Sequence, residues 1–261
     1  MKDDPLAKEL ALIHSKFSIY SQKDIKNKAI EFNIIELVKS YNNPKLLYLT
    51  DYYKVYEENY YPAQPFDNDY SNIKEARRAD LPFIGMEMLS QKKAKFMFIF
   101  EGSLANNKLS MTVFSHLWIL AKDEERNLNS KENSNGGWYW PSYYKVKEKL
   151  GITKQIADNS YVTDAIRIGN QKGERVRKNN KKNHELLIEE INLLRPELII
   201  CIGAKARKII GMDLKNTNVK CIHVPFPKYL VRESTDKKKY DQNEAEYNKL
   251  REAIIKTFEN K

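Results

Sequence analysis

Glu101, Asp164 and His223 each lie at the end of a short apolar run. A carboxylate, an aspartate and a histidine converging beside basic loops suit general acid/base catalysis, metal binding or base recognition. Phe96-Met97-Phe98-Ile99-Phe100 runs into Glu101-Gly102, Tyr161-Val162-Thr163 into Asp164, and Leu198-Ile199-Ile200-Cys201-Ile202 into Gly203, while residues 219–223 run out on His223-Val224-Pro225. Buried strands that stop together on polar groups build a site at their carboxyl ends. Each residue also has a plainer use. Glu101 would serve in an ion pair, Asp164 as the cap of a short helix starting at Ala165, and His223 as a hydrogen-bonded core histidine. No pair among them has the spacing of metal ligands, which ranks a metal-dependent nuclease below the other readings.

The elements that must position these groups alternate in type. The run at 96–100 is continuously apolar, as a central strand covered on both faces should be. Residues 109–121 read as a helix, 127–137 as a polar loop rich in turn formers, and 143–150 as a short helix stopped by Gly151. Residues 161–163 form the next strand, and 171–182 read as a basic connector with six Lys or Arg against the single acid Glu174. Leu187, Ile188, Ile191 and Leu194 mark a helix that Arg195-Pro196 ends. A strand at 198–202, a turn at Gly203, a helix at 204–210 and a strand at 219–223 follow. Tyr247, Leu250, Ile254 and Phe258 space a final amphipathic helix. Helices alternating with buried strands predict an α/β fold: a mostly parallel four-stranded sheet, with right-handed crossovers, flanked by helices in a three-layer sandwich.

Residues 1–90 read differently, as an N-terminal extension or cap before a domain at 91–261. A helical pattern near 30–38 precedes a stretch holding eight of the 16 tyrosines between Tyr41 and Tyr70, broken by Pro62 and Pro65. Those tyrosines suit stacking on bases or packing on a neighbouring sheet.

Composition bounds the partners. A chain of 261 residues, 41% hydrophobic, can bury a full core. Its 45 Lys and Arg against 35 Asp and Glu give a net charge of +10, which favours a polyanion such as nucleic acid or reflects a lysine-rich solvated surface. Two cysteines, Cys201 and Cys221, allow neither a disulfide framework nor a four-thiolate cluster, and both read as buried structural thiols. The start Met1-Lys2-Asp3-Asp4-Pro5 lacks the apolar core of a signal peptide, and no apolar run is long enough to span a bilayer. A cytoplasmic monomer with a polyanionic partner, without a membrane partner, a metal or a cofactor, is the expectation.

Taken in order, the segments resemble the uracil-DNA glycosylase superfamily, most closely its iron-sulfur branch, family 4. Phe100-Glu101-Gly102-Ser103-Leu104 is similar to that family's Gly-Glu-Gly/Ala-Pro-Gly motif, and Tyr161-Val162-Thr163-Asp164 to its Tyr-Ile-Thr-Asn. The run from Glu190 through Leu194-Arg195-Pro196 to Ile202-Gly203 follows its helix-strand segment nearly residue for residue, and His223-Val224-Pro225 echoes its His-Pro-Ser. The resemblance covers about residues 90–261. It also departs from the pattern. The cluster cysteines are missing, so no iron-sulfur centre is implied. Ser103 replaces a proline, Asn107 stands near an acidic position, and Gly102 stands where another branch carries a catalytic aspartate. An insertion passes through Trp138-Tyr139-Trp140-Pro141, where the resemblance places Tyr139 or a flanking Trp as the ring that stacks on a flipped base, with core packing as the alternative.

Asp164 is the sharpest departure. The family's Asn accepts from N3–H of uracil and donates to O4, whereas an ionised Asp only accepts. Cytosine presents an amino donor and an N3 acceptor, which a protonated Asp matches with one O–H and one oxygen. A carboxyl buried against a base is expected to be kept protonated by desolvation. The resemblance therefore implies a monofunctional DNA glycosylase for a cytosine-type or modified base, as in phage DNA carrying substituted cytosines. The target nucleotide would leave the stack, and the departing base would gather charge on O2. His223 would stabilise that charge, Asp164 would hold N3 and N4 and donate a proton, and Glu101 and Asn107 would position water. Gly102, Ser103, Tyr139 and Asp164 would line the base pocket. Lys172, Arg175, Arg177, Lys178, Arg232, Lys237, Lys238 and Lys239 would hold phosphates with a steep salt dependence. Two alternatives stand beside this one: a repair glycosylase for uracil or another deaminated base, with Asp164 turned away or capping, and a catalytically silent nucleic-acid-binding module.

Overall fold

Phe96–Phe100, an unbroken apolar run, becomes the middle strand of a five-stranded sheet in a computed structural model, with every side chain at most 1% exposed. The structure describes residues 4–17, 38–39, 82–101, 147–166, 176–210, 219–226 and 237–259. In chain order the elements are α1 (Pro5–Phe17), β1 (Phe83–Ile84), α2 (Met86–Gln91), β2 (Phe96–Phe100), α3 (Lys154–Asp158), β3 (Ser160–Asp164), α4 (Val176–Leu194), β4 (Leu198–Ile202), α5 (Ala204–Ile210), β5 (Lys220–Val224) and α6 (Lys237–Glu259).

The strand order is β1-β3-β2-β4-β5. β3, β2, β4 and β5 run parallel and are the four expected strands; β1 adds an antiparallel edge on β3, so the sheet is mixed rather than four-stranded. β1 is only two residues long and follows Pro82, too short to show alternation in the sequence. The Gly85 N–H extends its pairing by donating to the Ser160 carbonyl at 2.8 Å. A Cβ at position 85 would collide with the Asp158 carbonyl oxygen, so this crossing of two backbones requires glycine.

Both faces are covered, which is why the strands are apolar throughout rather than alternating. Phe96 packs its ring on Phe258 of α6 at a centroid distance of 5.0 Å, so α6 lies on the face of Phe96, Phe98 and Phe100. Tyr161 pairs with Met97 on the opposite face and donates its hydroxyl to Glu190 of α4 at 2.5 Å. His14 of α1 reaches the same carboxylate oxygen through Nε2 at 2.9 Å, and lies 3.2 Å from the Tyr161 hydroxyl. Glu190 is fully buried and His14 nearly so, and two hydrogen bonds converge on Glu190 Oε1, as a buried polar group requires. α1 and α4 thus cover the Met97 and Ile99 face, and the three-layer arrangement follows.

Local signals account for most of the boundaries. Thr153 caps α3 by accepting from the Ile156 N–H. α4 ends where Arg195 takes a positive φ of 44° before Pro196, its N–H still bonded to the Ile191 carbonyl at 2.9 Å. The basic connector expected at 171–182 is helical from Val176 onward. Its Lys, Arg and Asn residues precede the buried stripe of α4, so helical periodicity shows only further along. The expected tyrosine-rich stretch at 41–70, the helix at 109–121 and the loop at 127–137 lie outside the described residues. The pattern near 30–38 enters them only at Val38 and Lys39, which are helical.

Candidate functional site

The parallel strands end level with one another. Phe100 pairs with Asp164, Ile99 with both Thr163 and Cys201, Cys201 with His223, and Ile202 with Val224. Glu101, Gly203 and Pro225 follow directly. Glu101 and Asp164 therefore sit on neighbouring strands, and His223 is three strand spacings from Asp164, about 14 Å across the sheet. Among the described residues the fold gathers the three predicted polar groups at one end of the sheet.

They do not point the same way. Side chains alternate along a strand, so Phe100, Asp164, Ile202 and Val224 face α6, while Ile99, Thr163, Cys201 and His223 face α4. Asp164 is a buried carboxyl, 3% exposed, at the last position of β3. The next N–H, that of Ala165, donates to the Phe100 carbonyl at 2.7 Å, so β3 and β2 stay paired past the aspartate. Ala165 and Ile166 are non-helical, and the residues that follow lie outside the described ones.

Gly203 joins the other two groups. His223 Nε2 donates to the Gly203 carbonyl at 3.1 Å, and the Gly203 N–H donates to the Val224 carbonyl at 2.9 Å. Gly203 has φ 96°, a conformation L side chains rarely adopt, and a Cβ there would overlap Cγ of Glu101. One glycine thus orients the histidine ring through its oxygen and admits the glutamate against its Cα. The signal for this was the glycine after an apolar strand, read only as a turn.

Tyr247 also supports the site and was read from the sequence only as a core position of α6. Its hydroxyl donates to the Pro225 carbonyl at 2.7 Å and so fixes the segment that follows His223. Burial pushes this phenol well above its ordinary range, so it remains a donor. At the far side of α6, Lys149 hydrogen-bonds Glu244 at 2.6 Å and holds its carboxyl below the usual range, with Arg251 adding to the effect.

Gly102, Ser103, Asn107, Tyr139, Lys172, Arg175 and Arg232 lie outside the described residues. Arg177 and Lys178 fall in the first turn of α4, and Lys237, Lys238 and Lys239 open α6. The cysteine expectation is corrected in one respect. Cys201 is buried, but Cys221 is exposed, because β5 is the edge strand of the sheet. The two thiols contact each other at 3.4 Å, and two are too few for a four-thiolate cluster. No helix among the described residues is long and apolar enough to cross a membrane.

A comparison with curated proteins finds no match to the chain. The family comparison does find one, and it spans α3, β3, α4, β4, α5, β5 and most of α6, leaving β2 and Glu101 outside it. Residues 140–251 match the model of the Uracil DNA glycosylase superfamily, a match that supports membership of that superfamily and a DNA glycosylase-type hydrolase function.

Proposed function

We propose that the protein is a monofunctional DNA glycosylase that excises a cytosine-type or modified base. The observation that carries this reading is Asp164, a buried carboxyl at the carboxyl end of β3, within the matched residues. A flipped base over the strand ends would place its N3 and N4 edge at this side chain, which in protonated form offers one donor and one acceptor. Asp164 and His223 face opposite sides of the sheet, so a base that meets both would lie across the strand ends, which are about 14 Å apart.

His223 has a defined part in this scheme. With Nε2–H given to the Gly203 carbonyl, Nδ1 is the nitrogen a substrate would meet. It donates to a departing O2 when it carries a proton, with Glu101 packed against the Cα of Gly203. Asp164 supplies the proton that cytosine, a poor leaving group, needs at N3. Glu101 and Asn107 position water. Tyr139, Gly102 and Ser103 complete the pocket, and the basic residues from Lys172 to Lys178, Arg232 and Lys237 to Lys239 hold the phosphates. Phage DNA with substituted cytosines is the substrate we favour.

The superfamily match favours one second reading, a glycosylase for uracil or another deaminated base. Oligonucleotides carrying cytosine, bulky modified cytosines or uracil, followed by alkaline cleavage at abasic sites, separate the two. Cleavage confined to cytosine-type substrates supports the proposal. Cleavage of uracil alone selects the second reading, and DNA binding without cleavage of any substrate contradicts both.

A further inference from the structure

Cys201 of β4 and Cys221 of β5 bring their sulfurs to 3.4 Å. The register pairs Ile199 with Cys221 and Cys201 with His223, so both thiols stand on one face of neighbouring strands, offset by a single pleat. Cys221 is an exposed residue on the edge strand and Cys201 a buried one. Peroxide-reactive sites use that division, with a reachable sulfur that reacts first and a shielded sulfur close enough to resolve it. We propose that Cys221 is a hydroperoxide-reactive thiol and that Cys201 resolves its oxidation product as an intrachain disulfide.

The electrostatics agree with this order. The hydrogen bond from the Cys201 thiol lowers the Cys221 thiol below its ordinary range, while the same bond and burial raise Cys201. The Cys221 thiolate attacks the terminal oxygen of a hydroperoxide. The S–O bond forms, the O–O bond breaks, and the alkoxide takes a proton to leave as an alcohol. Cys221 is then a sulfenic acid. The Cys201 sulfur next attacks the Cys221 sulfur, the S–S bond forms, and hydroxide departs with the Cys201 proton as water. Two thiols and one hydroperoxide give a disulfide, an alcohol and water, the sulfurs supplying both electrons. The sulfurs must close from 3.4 Å to about 2.05 Å, and for residues one pleat apart on neighbouring strands, with Cα atoms about 8 Å apart, this takes backbone movement as well as side-chain rotation.

The crosslink would fall two residues before Gly203 on one strand and two before His223 on the other. Oxidation would thereby tie together the strands that carry the His223 to Gly203 hydrogen bond. The pairing does not depend on which base, if any, the protein excises.

The test treats the reduced full-length chain with hydrogen peroxide, then denatures it, alkylates free thiols with iodoacetamide and measures intact and peptide masses. The expected product is a monomer lighter by two hydrogen atoms, unalkylated, with the Cys201 and Cys221 peptides linked. In Cys201→Ser, peroxide with dimedone present should yield the dimedone adduct at Cys221. In Cys221→Ser, Cys201 should stay reduced. Full alkylation of both thiols after peroxide treatment of the wild type would overturn the proposal. So would oxidation of Cys201 in the Cys221→Ser variant, or a disulfide joining two chains in place of the intrachain bond.

Discussion

Asp164, Gly203 and His223 show how far single residues determine the chemistry open to this fold. The position of Asp164 at a strand end was legible in the sequence, because an apolar run broke on an acid. Its separation from His223 onto the opposite face was not, because face assignment depends on register, and register depends on pairing between strands distant in sequence. Gly203 carries more than a turn. Substituting Gly203→Ala forces a side chain into φ 96° and against Glu101, and should cost about 1–3 kcal/mol in thermal or urea unfolding. Combining it with Glu101→Ala, which empties the space the new methyl needs, should recover part of that loss as a non-additive term. Strict additivity would show that Glu101 does not pack where the structure places it.

At the scale of elements, α1, α4 and β3 are held together by the buried Tyr161, Glu190 and His14 cluster. Tyr161→Phe removes a hydroxyl donor from a buried carboxylate and should lower stability by about 1.5–3 kcal/mol, read from urea denaturation. The exposed Lys93 to Glu197 pair offers the contrast, since Lys93→Ala should cost below about 1 kcal/mol. Tyr161 and Glu190 belong to two segments that resemble a known family, but nothing in either segment announced that they touch. His14 was invisible for the same reason: its partners are 147 and 176 residues away. The strands of the core were readable because they are continuously apolar. β1 and the first turns of α4 were not, one being two residues long and the other lacking apolar residues at helical spacing.

Across the whole molecule, α6 closes the Phe96 face and reaches back to the helix end at 147–150 through Lys149, Glu244 and Arg251. Glu244 is held below its unfolded value by Lys149, so its contribution is present above the ordinary glutamate range and is lost as pH falls through the lower folded value. Melting temperature should therefore fall on acidification through that window, and Glu244→Gln should flatten this part of the profile by a contribution below about 1 kcal/mol. The parallel sheet, its layers and its strand-end polar groups followed from alternation of buried strands and helices. The mixed edge and the division of polar groups between two faces emerge only from the assembled sheet.

The proposed role of Asp164 is to read the base. Abasic-site formation by the wild type and by Asp164→Asn, on matched oligonucleotides carrying cytosine, modified cytosine or uracil, tests it most directly. The account predicts that the wild type releases the cytosine-type base and that Asp164→Asn loses this activity and gains release of uracil, since the amide restores the donor and acceptor pattern uracil needs. An unchanged base preference in Asp164→Asn would contradict it.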